Sequence, residues 1–224
     1  MESLFQPTGL PQIIGHEEAE DYLAHMAIDP AAVRDALGSG ELAAQNLTSF
    51  FPVTAPGFSR WSYTVGTLRE KLQGTGQWCS EDRSNRPYLR HLTHSYTLSV
   101  LGGNTETGSE SPTACPNVQK RKGRATEEFV LGGQLAFPEI VEYLSDRTDP
   151  DAPPPGTWFL IYYRDDGELR SEISLPEGIK DGRFTGWRIR VILPVIDYKT
   201  TMRRPLDAGE HDVEFTVEER GRTA

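Results

Sequence analysis

Four cations stand within the segment QKRKGRATEE (residues 119–128): Lys120, Arg121, Lys122 and Arg124. They come just before Thr126-Glu127-Glu128, which reads as a helix start. Free backbone N–H groups and the helix dipole favour an anion there. Gly123 lets the backbone approach a phosphate closely, and Thr126 stands in the first turn. The chemistry this suggests is phosphate contact, from nucleic acid or a nucleotide. The opposing reading is a solvated loop tip whose charges are offset by Glu127 and Glu128, as short basic runs commonly are. The spacing is not that of a P-loop.

A second segment, Gly102-Gly103-Asn104 through Thr107-Gly108, follows a strand pattern, as phosphate-cradling loops do. It has no lysine at the needed place and no helix directly after it, and such glycines also serve tight turns. Gly102 and Gly103 join Lys120, Arg121, Lys122, Gly123, Arg124 and Thr126 as one anion-binding set only if the two segments fold side by side.

Other combinations carry less. His91, His94, Cys79 and Cys115 form a loose four-ligand set, but each cysteine is alone where zinc sites use tight pairs. Asp165, Asp166, Glu168 and Glu172 could suit metal-dependent nuclease chemistry, yet Glu172-Ile173-Ser174 has serine where a lysine is wanted. Alternating charge on a wet strand face accounts for them. Arg170, Arg188 and Arg190, interleaved with Glu168 and Glu172, suggest cross-strand ladders more than a ligand face. There is no G-x-S-x-G elbow, and His16, His25 and His211 are isolated. No catalytic residue, metal or cofactor is expected.

The elements that must position these groups follow from periodicity. Residues 16–28 place Ala19, Tyr22, Leu23, Met26 and Ala27 on one helical stripe. Asp29-Pro30 starts a second helix, Asp as N-cap and Pro at N1, with Gly38 as its end and a third short helix over 41–51. Ser59 caps a further helix carrying Trp61, Val65, Leu68 and Leu72 on one face. Ser80 to Pro87 reads as a polar loop. A strand follows at about 94–101, then a long polar stretch to Arg124, of the kind that is usually functional or mobile. The helix at Thr126 is interrupted at Gly132-Gly133, and another begins at Pro138.

Beyond the Pro-rich linker 149–156 the period changes to two. TWFLIYY (157–163) suits a strand covered on both faces, and Asp165-Asp166-Gly167 suits a hairpin turn. Residues 168–175 alternate. Trp187, Ile189, Val191 and Leu193 fall on one face, and Val213, Phe215 and Val217 mark a last strand. The expected fold is α+β: N-terminal helices (1–58), a mixed region with the Gly/basic loop (59–148), the linker, and a mainly antiparallel meander with one wet face (157–224). The last region and 59–148 could be one domain.

The 224 residues suffice for a hydrophobic core. A net charge of −10 argues against a DNA-coating protein, which would be basic. No apolar run approaches the roughly 20 residues of a membrane span and no secretory signal is visible, so no membrane partner and a cytoplasmic location are expected. Two cysteines in such a chain are read as reduced thiols.

Several segments together resemble a group of bacterial hypothetical proteins of no known activity. They are Arg60-Trp61 with Thr64-Val65 and Leu68-Arg69-Glu70, the turn 102–108, Lys122-Gly123-Arg124-Ala125-Thr126, Ile173-Ser174-Leu175-Pro176, Gly186-Trp187-Arg188-Ile189-Arg190 and Ile192-Leu193-Pro194. The likeness covers roughly residues 60–195, with Asn104 where the group's turn has an aspartate. It implies an intracellular accessory protein, of the sort found in mobile or defence loci. From the residues themselves, with no catalytic set in view, the expected function is an accessory or binding protein contacting nucleic acid or a nucleotide-like anion through 102–126. The alternatives are a phosphoryl-transfer or nuclease-type enzyme, and a protein-interaction subunit working through the acidic N-terminal helices.

Overall fold

The apolar run from Thr157 to Tyr163 forms a central strand, and both its faces are buried. Trp158 and Leu160 pack into one core, Phe159 and Ile161 into another. A computed structural model describes residues 10–83, 85–135, 153–165 and 167–198, with backbone alone at 124, 125 and 132–135. In chain order the elements are β1 (Gln12–Ile14), α1 (Ala19–Ala24), α2 (Pro30–Gln45), α3 (Ala55–Gly74), β2 (Trp78–Arg83), β3 (Arg86–His91) and β4 (Tyr96–Gly102). They continue with α4 (Arg124–Leu135), β5 (Gly156–Arg164), β6 (Glu168–Lys180), β7 (Arg183–Ile192) and β8 (Ile196–Asp197).

The strands make one eight-stranded sheet ordered β1-β7-β6-β5-β4-β3-β2, with β8 added on β6. The α+β expectation holds at that level, but the sheet is mixed instead of mainly antiparallel. β1 runs parallel to β7 and β4 parallel to β5. A parallel pair cannot be joined by a hairpin and needs a long crossover. The connection from Gly102 to Gly156, which carries the basic cluster and α4, is that crossover, so its length follows from topology.

Helices α1, α2 and α3 cover one face, over Leu98, Val100, Leu160, Ile173, Ile189 and Val191. Burial of each such side chain contributes roughly 1.5–3 kcal/mol. Asp29 caps α2 through Ala31 N–H at 2.7 Å, as read from the sequence. The helix does not stop at Gly38, however, and absorbs the start of the expected third one. Gly40 explains why a glycine is tolerated there. A Cβ on it would stand 2.4 Å from the Arg60 carbonyl oxygen and 2.2 Å from Thr64 Oγ1, so its absence allows α2 and α3 to touch. Helix α3 begins at Ala55, four residues before Ser59, and α4 runs on through Gly132-Gly133.

The other face is not wet. The described part of the crossover, residues 103–135, lies on it, building a second core from Val118, Val130, Phe159, Ile161, Ile179, Phe184 and Trp187. Trp187 therefore faces away from Ile189 and Val191, against the sequence reading. The pairing steps from Leu175↔Ile189 to Pro176↔Trp187, so Arg188 is an extra residue in β7, a bulge that turns the strand over. Of the Pro-rich linker, the described part is docked on the sheet. The Pro153 carbonyl accepts from Tyr96 OH at 2.8 Å, and the Pro154 carbonyl from Trp158 Nε1 at 3.2 Å. The helix expected at Pro138 and the strand expected at 213–217 lie outside the described residues.

Candidate functional site

The segment read as a polar loop, Ser80 to Pro87, is part of a hairpin. β2 and β3 pair over six residues each around a turn in which Asn85 takes a left-handed φ of 59°. Its polarity is that of a strand at the edge of the sheet. β3, by contrast, pairs with β4 only through Leu89↔Leu98 and Arg90↔Thr97. Pro87 has no N–H to donate to a ladder, and from there the two strands separate. Side chains occupy the gap. Ser99 Oγ donates to the Pro87 carbonyl at 3.4 Å, and Trp61 Nε1 on α3 donates to the Val100 carbonyl at 3.1 Å.

This split opens into a cavity of about 230 Å³. Phe159, fully buried, and Leu101 close its inner side; Asn85, Arg86 and Pro87 form one wall; Lys122 and Thr126 form the other, with Trp61 at the rim. Arg86 Nη2 donates to Thr126 Oγ1, and its guanidinium stands 5.1 Å from the Phe129 ring centroid. Arg86 Nη1 is buried with no hydrogen-bond partner among the described residues. Burial pushes the Arg86 pKa down. It does the same to Lys122, to which the Arg86 and Lys120 charges add. Among the described residues no carboxylate pairs with either cation. Glu127, expected to offset the cluster, instead accepts from Gly182 N–H at 2.6 Å.

Of the eight residues singled out from the sequence, Lys122 and Thr126 line this cavity. Lys120, Arg121 and Gly123 are exposed beside it, and Arg124 is the first residue of α4. The two segments meet at their inner ends: the Gly102 carbonyl accepts from Gln119 N–H at 3.1 Å, and Gly103 bridges Val118. Gly103 is a packing glycine, since a Cβ there would stand 2.2 Å from Thr107 Oγ1 and 2.5 Å from Ile161 Cγ2. Arg86, Asn85, Ser99 and Trp61 were not foreseen. The signal for the first two was an Asn-centred turn between polar stretches, which is faint.

Two buried carboxylates elsewhere are fully engaged. Glu172 and Arg190 lie under the 103–118 loop with side chains wholly buried and 2.5 Å apart. Glu172 also accepts from Ser174 Oγ and Gly108 N–H, each at 3.0 Å. Arg190 donates to the Ser109 carbonyl at 2.9 Å and the Ala114 carbonyl at 3.4 Å. Glu41 joins α2 to α3 and β5 through Arg60 at 2.6 Å and Arg164 at 2.7 Å. Burial pushes its pKa up. The hydrogen bonds from Arg60 and Gln45 and the two arginine charges outweigh that and hold it below the usual carboxylate range.

His91 and His94 come together, ring centroids 4.9 Å apart, because 92–95 turns. His91 Nδ1 is taken by the Thr93 and His94 N–H groups at 3.3 and 3.1 Å. Cys79 and Cys115 are free thiols. Among the described residues no three His, Cys, Asp or Glu converge as a metal site, and no helix is long and apolar enough to cross a membrane. Compared with protein-family models, curated proteins and solved structures, the chain matches none.

Proposed function

We propose that this protein is an intracellular binding module that takes a phosphorylated ligand, nucleic acid or nucleotide, in the β3–β4 split. One observation carries the reading: Arg86 and Lys122 share a cavity without a described carboxylate for either, and Arg86 Nη1 has no acceptor among the described residues. Bringing two like charges together with partial desolvation is unfavourable unless an anion joins them. Filter binding and gel shift at low salt test it. Affinity should fall with salt, with a log–log slope on the order of −1 per phosphate held. It should drop in Arg86→Gln and Lys122→Gln. No retention of any DNA, RNA or nucleotide would remove the proposal.

A second reading, a protein-interaction subunit, has a specific observation in its favour. From Leu42 to Ser59 the chain has no charged residue. There Phe50 is 95% exposed, Val53 99% and Phe58 67%. Exposed apolar groups in such density mark interaction sites more often than chance. Capture of one stoichiometric partner that resists high salt, and is lost in Phe50→Ser, would favour it. The hairpin-carboxylate enzyme has no such support, as Glu172 is already held by Arg190, Ser174 and Gly108.

A further inference from the structure

Resting on the phosphate reading above, we infer that the split is built for a phosphate monoester, the terminal group of a nucleotide or of a phosphorylated strand end, and excludes the internal diester of a continuous strand.

Charge is the first argument. Arg86 and Lys122 together present two positive charges to one cavity. A monoester carries about −1.5 to −2 near neutral pH, whereas each strand diester carries a single charge. The monoester balances both cations; the diester leaves one uncompensated in a partly desolvated place.

Size and shape give the second. The cavity, about 230 Å³, is below the roughly 300–1,000 Å³ of sites for drug-sized molecules. One phosphate with the directly attached sugar fits that scale, and successive phosphates do not. Phe159, fully buried in the central strand, is among the lining residues, so the cavity is backed by the sheet. Arg86, Lys122 and Thr126 supply cations and a hydroxyl, while Val100, Leu101 and Trp61 among the lining residues offer apolar surface for the rest of the ligand. That mixture suits a molecule with one charged end and a less polar remainder.

Calorimetric titration of the full chain at low salt tests this, using an oligonucleotide with a 5′-phosphate, the same oligonucleotide with a 5′-hydroxyl, AMP, adenosine and inorganic phosphate. The 5′-phosphorylated form should bind at least about tenfold more tightly than the 5′-hydroxyl form, and AMP likewise over adenosine, the scale of one charge-assisted hydrogen bond. Lys122→Gln should erase most of both differences. Whether AMP or the phosphorylated strand binds more tightly identifies the source of the monoester. Equal affinity for the two oligonucleotides, weakened alike by Lys122→Gln, would overturn the monoester while the phosphate reading stood. Absence of binding by every phosphorylated probe, or binding untouched in both Lys122→Gln and Arg86→Gln, would overturn both. Lys122→Gln guards against misfolding of the Arg86 variant, because the Lys122 ammonium makes no hydrogen bond to a described residue.

Discussion

Arg190 Nη2 lies 2.5 Å from Glu172 Oε2, with both side chains wholly buried beneath the loop they hold. The same pair binds the loop backbone at Gly108, Ser109 and Ala114. Two charges taken from water gain little net stability from each other, but one left alone is costly. Glu172→Ala should therefore destabilise by about 3–5 kcal/mol, read as a fall in the urea midpoint. Glu172→Met with Arg190→Met should recover part of it. A loss below about 1 kcal/mol, the range of exposed ion pairs, would show that the pair is not buried as described.

Lys122 should behave in the opposite sense. Its pKa is held below 10.5 by burial first, then by Arg86 and Lys120. The folded chain thus binds this proton less readily than the unfolded one. The charged form opposes folding at every pH below its folded-state pKa, and the penalty fades as pH rises toward 10.5. Lys122→Gln should leave the urea midpoint at neutral pH unchanged or higher while phosphate affinity falls. A clear drop in midpoint would mean that Lys122 has a stabilising partner.

The glycines separate packing from binding. Gly103→Ala drives a Cβ into Thr107 and Ile161 and should cost about 1–3 kcal/mol, the usual range for overpacking. Gly123→Ala meets open space and should leave stability unchanged within about 0.5 kcal/mol. Equal effects in thermal melts would contradict the placement of Gly103.

His91 is 3% exposed, and its Nδ1 accepts two backbone N–H groups. Burial, then the neighbouring His94, lowers its pKa from 6.5. The folded state then binds fewer protons than the unfolded state just below pH 6.5. Stability is present above that pH and is lost as pH falls through the folded-state value. His16, raised by its hydrogen bond to Glu110, acts in the opposite direction. The test is thus a difference: between about pH 7.5 and about pH 5.5, the histidine range, wild type should lose more stability than His91→Gln. Parallel curves would refute the buried, neutral ring.

Phe50 and Val53 are 95% and 99% exposed, so they bury little surface on folding. Phe50→Ser and Val53→Ser should change stability by under about 0.5 kcal/mol. A larger loss would place them inside something.

Local pattern carried much of the fold. Asp29 was legible as a cap because its side chain needs only the next turn. The run through Trp158–Tyr163 showed two covered faces by itself. The errors fall where a distant segment decides. Gly38 looks like a helix end, yet α2 runs on because α3 packs against it at Gly40, and Trp187 sits on the expected face only if no bulge separates it from Ile189. Glu172 and Arg190 read as a wet ladder because the loop that buries them lies far away in sequence.

By itself the sequence determined α+β content, the apolar central strand, the hairpin at Asp165–Gly167 and a basic run of unknown use, since each depends on neighbours within a turn or a strand. Tertiary structure alone decided that β4 and β5 run parallel, that the described part of their crossover packs on the second face, and that Lys122 shares a cavity with Arg86. These are contacts between residues tens of positions apart. Which of them form is set by the burial of two whole faces at once, and no local spacing encodes that.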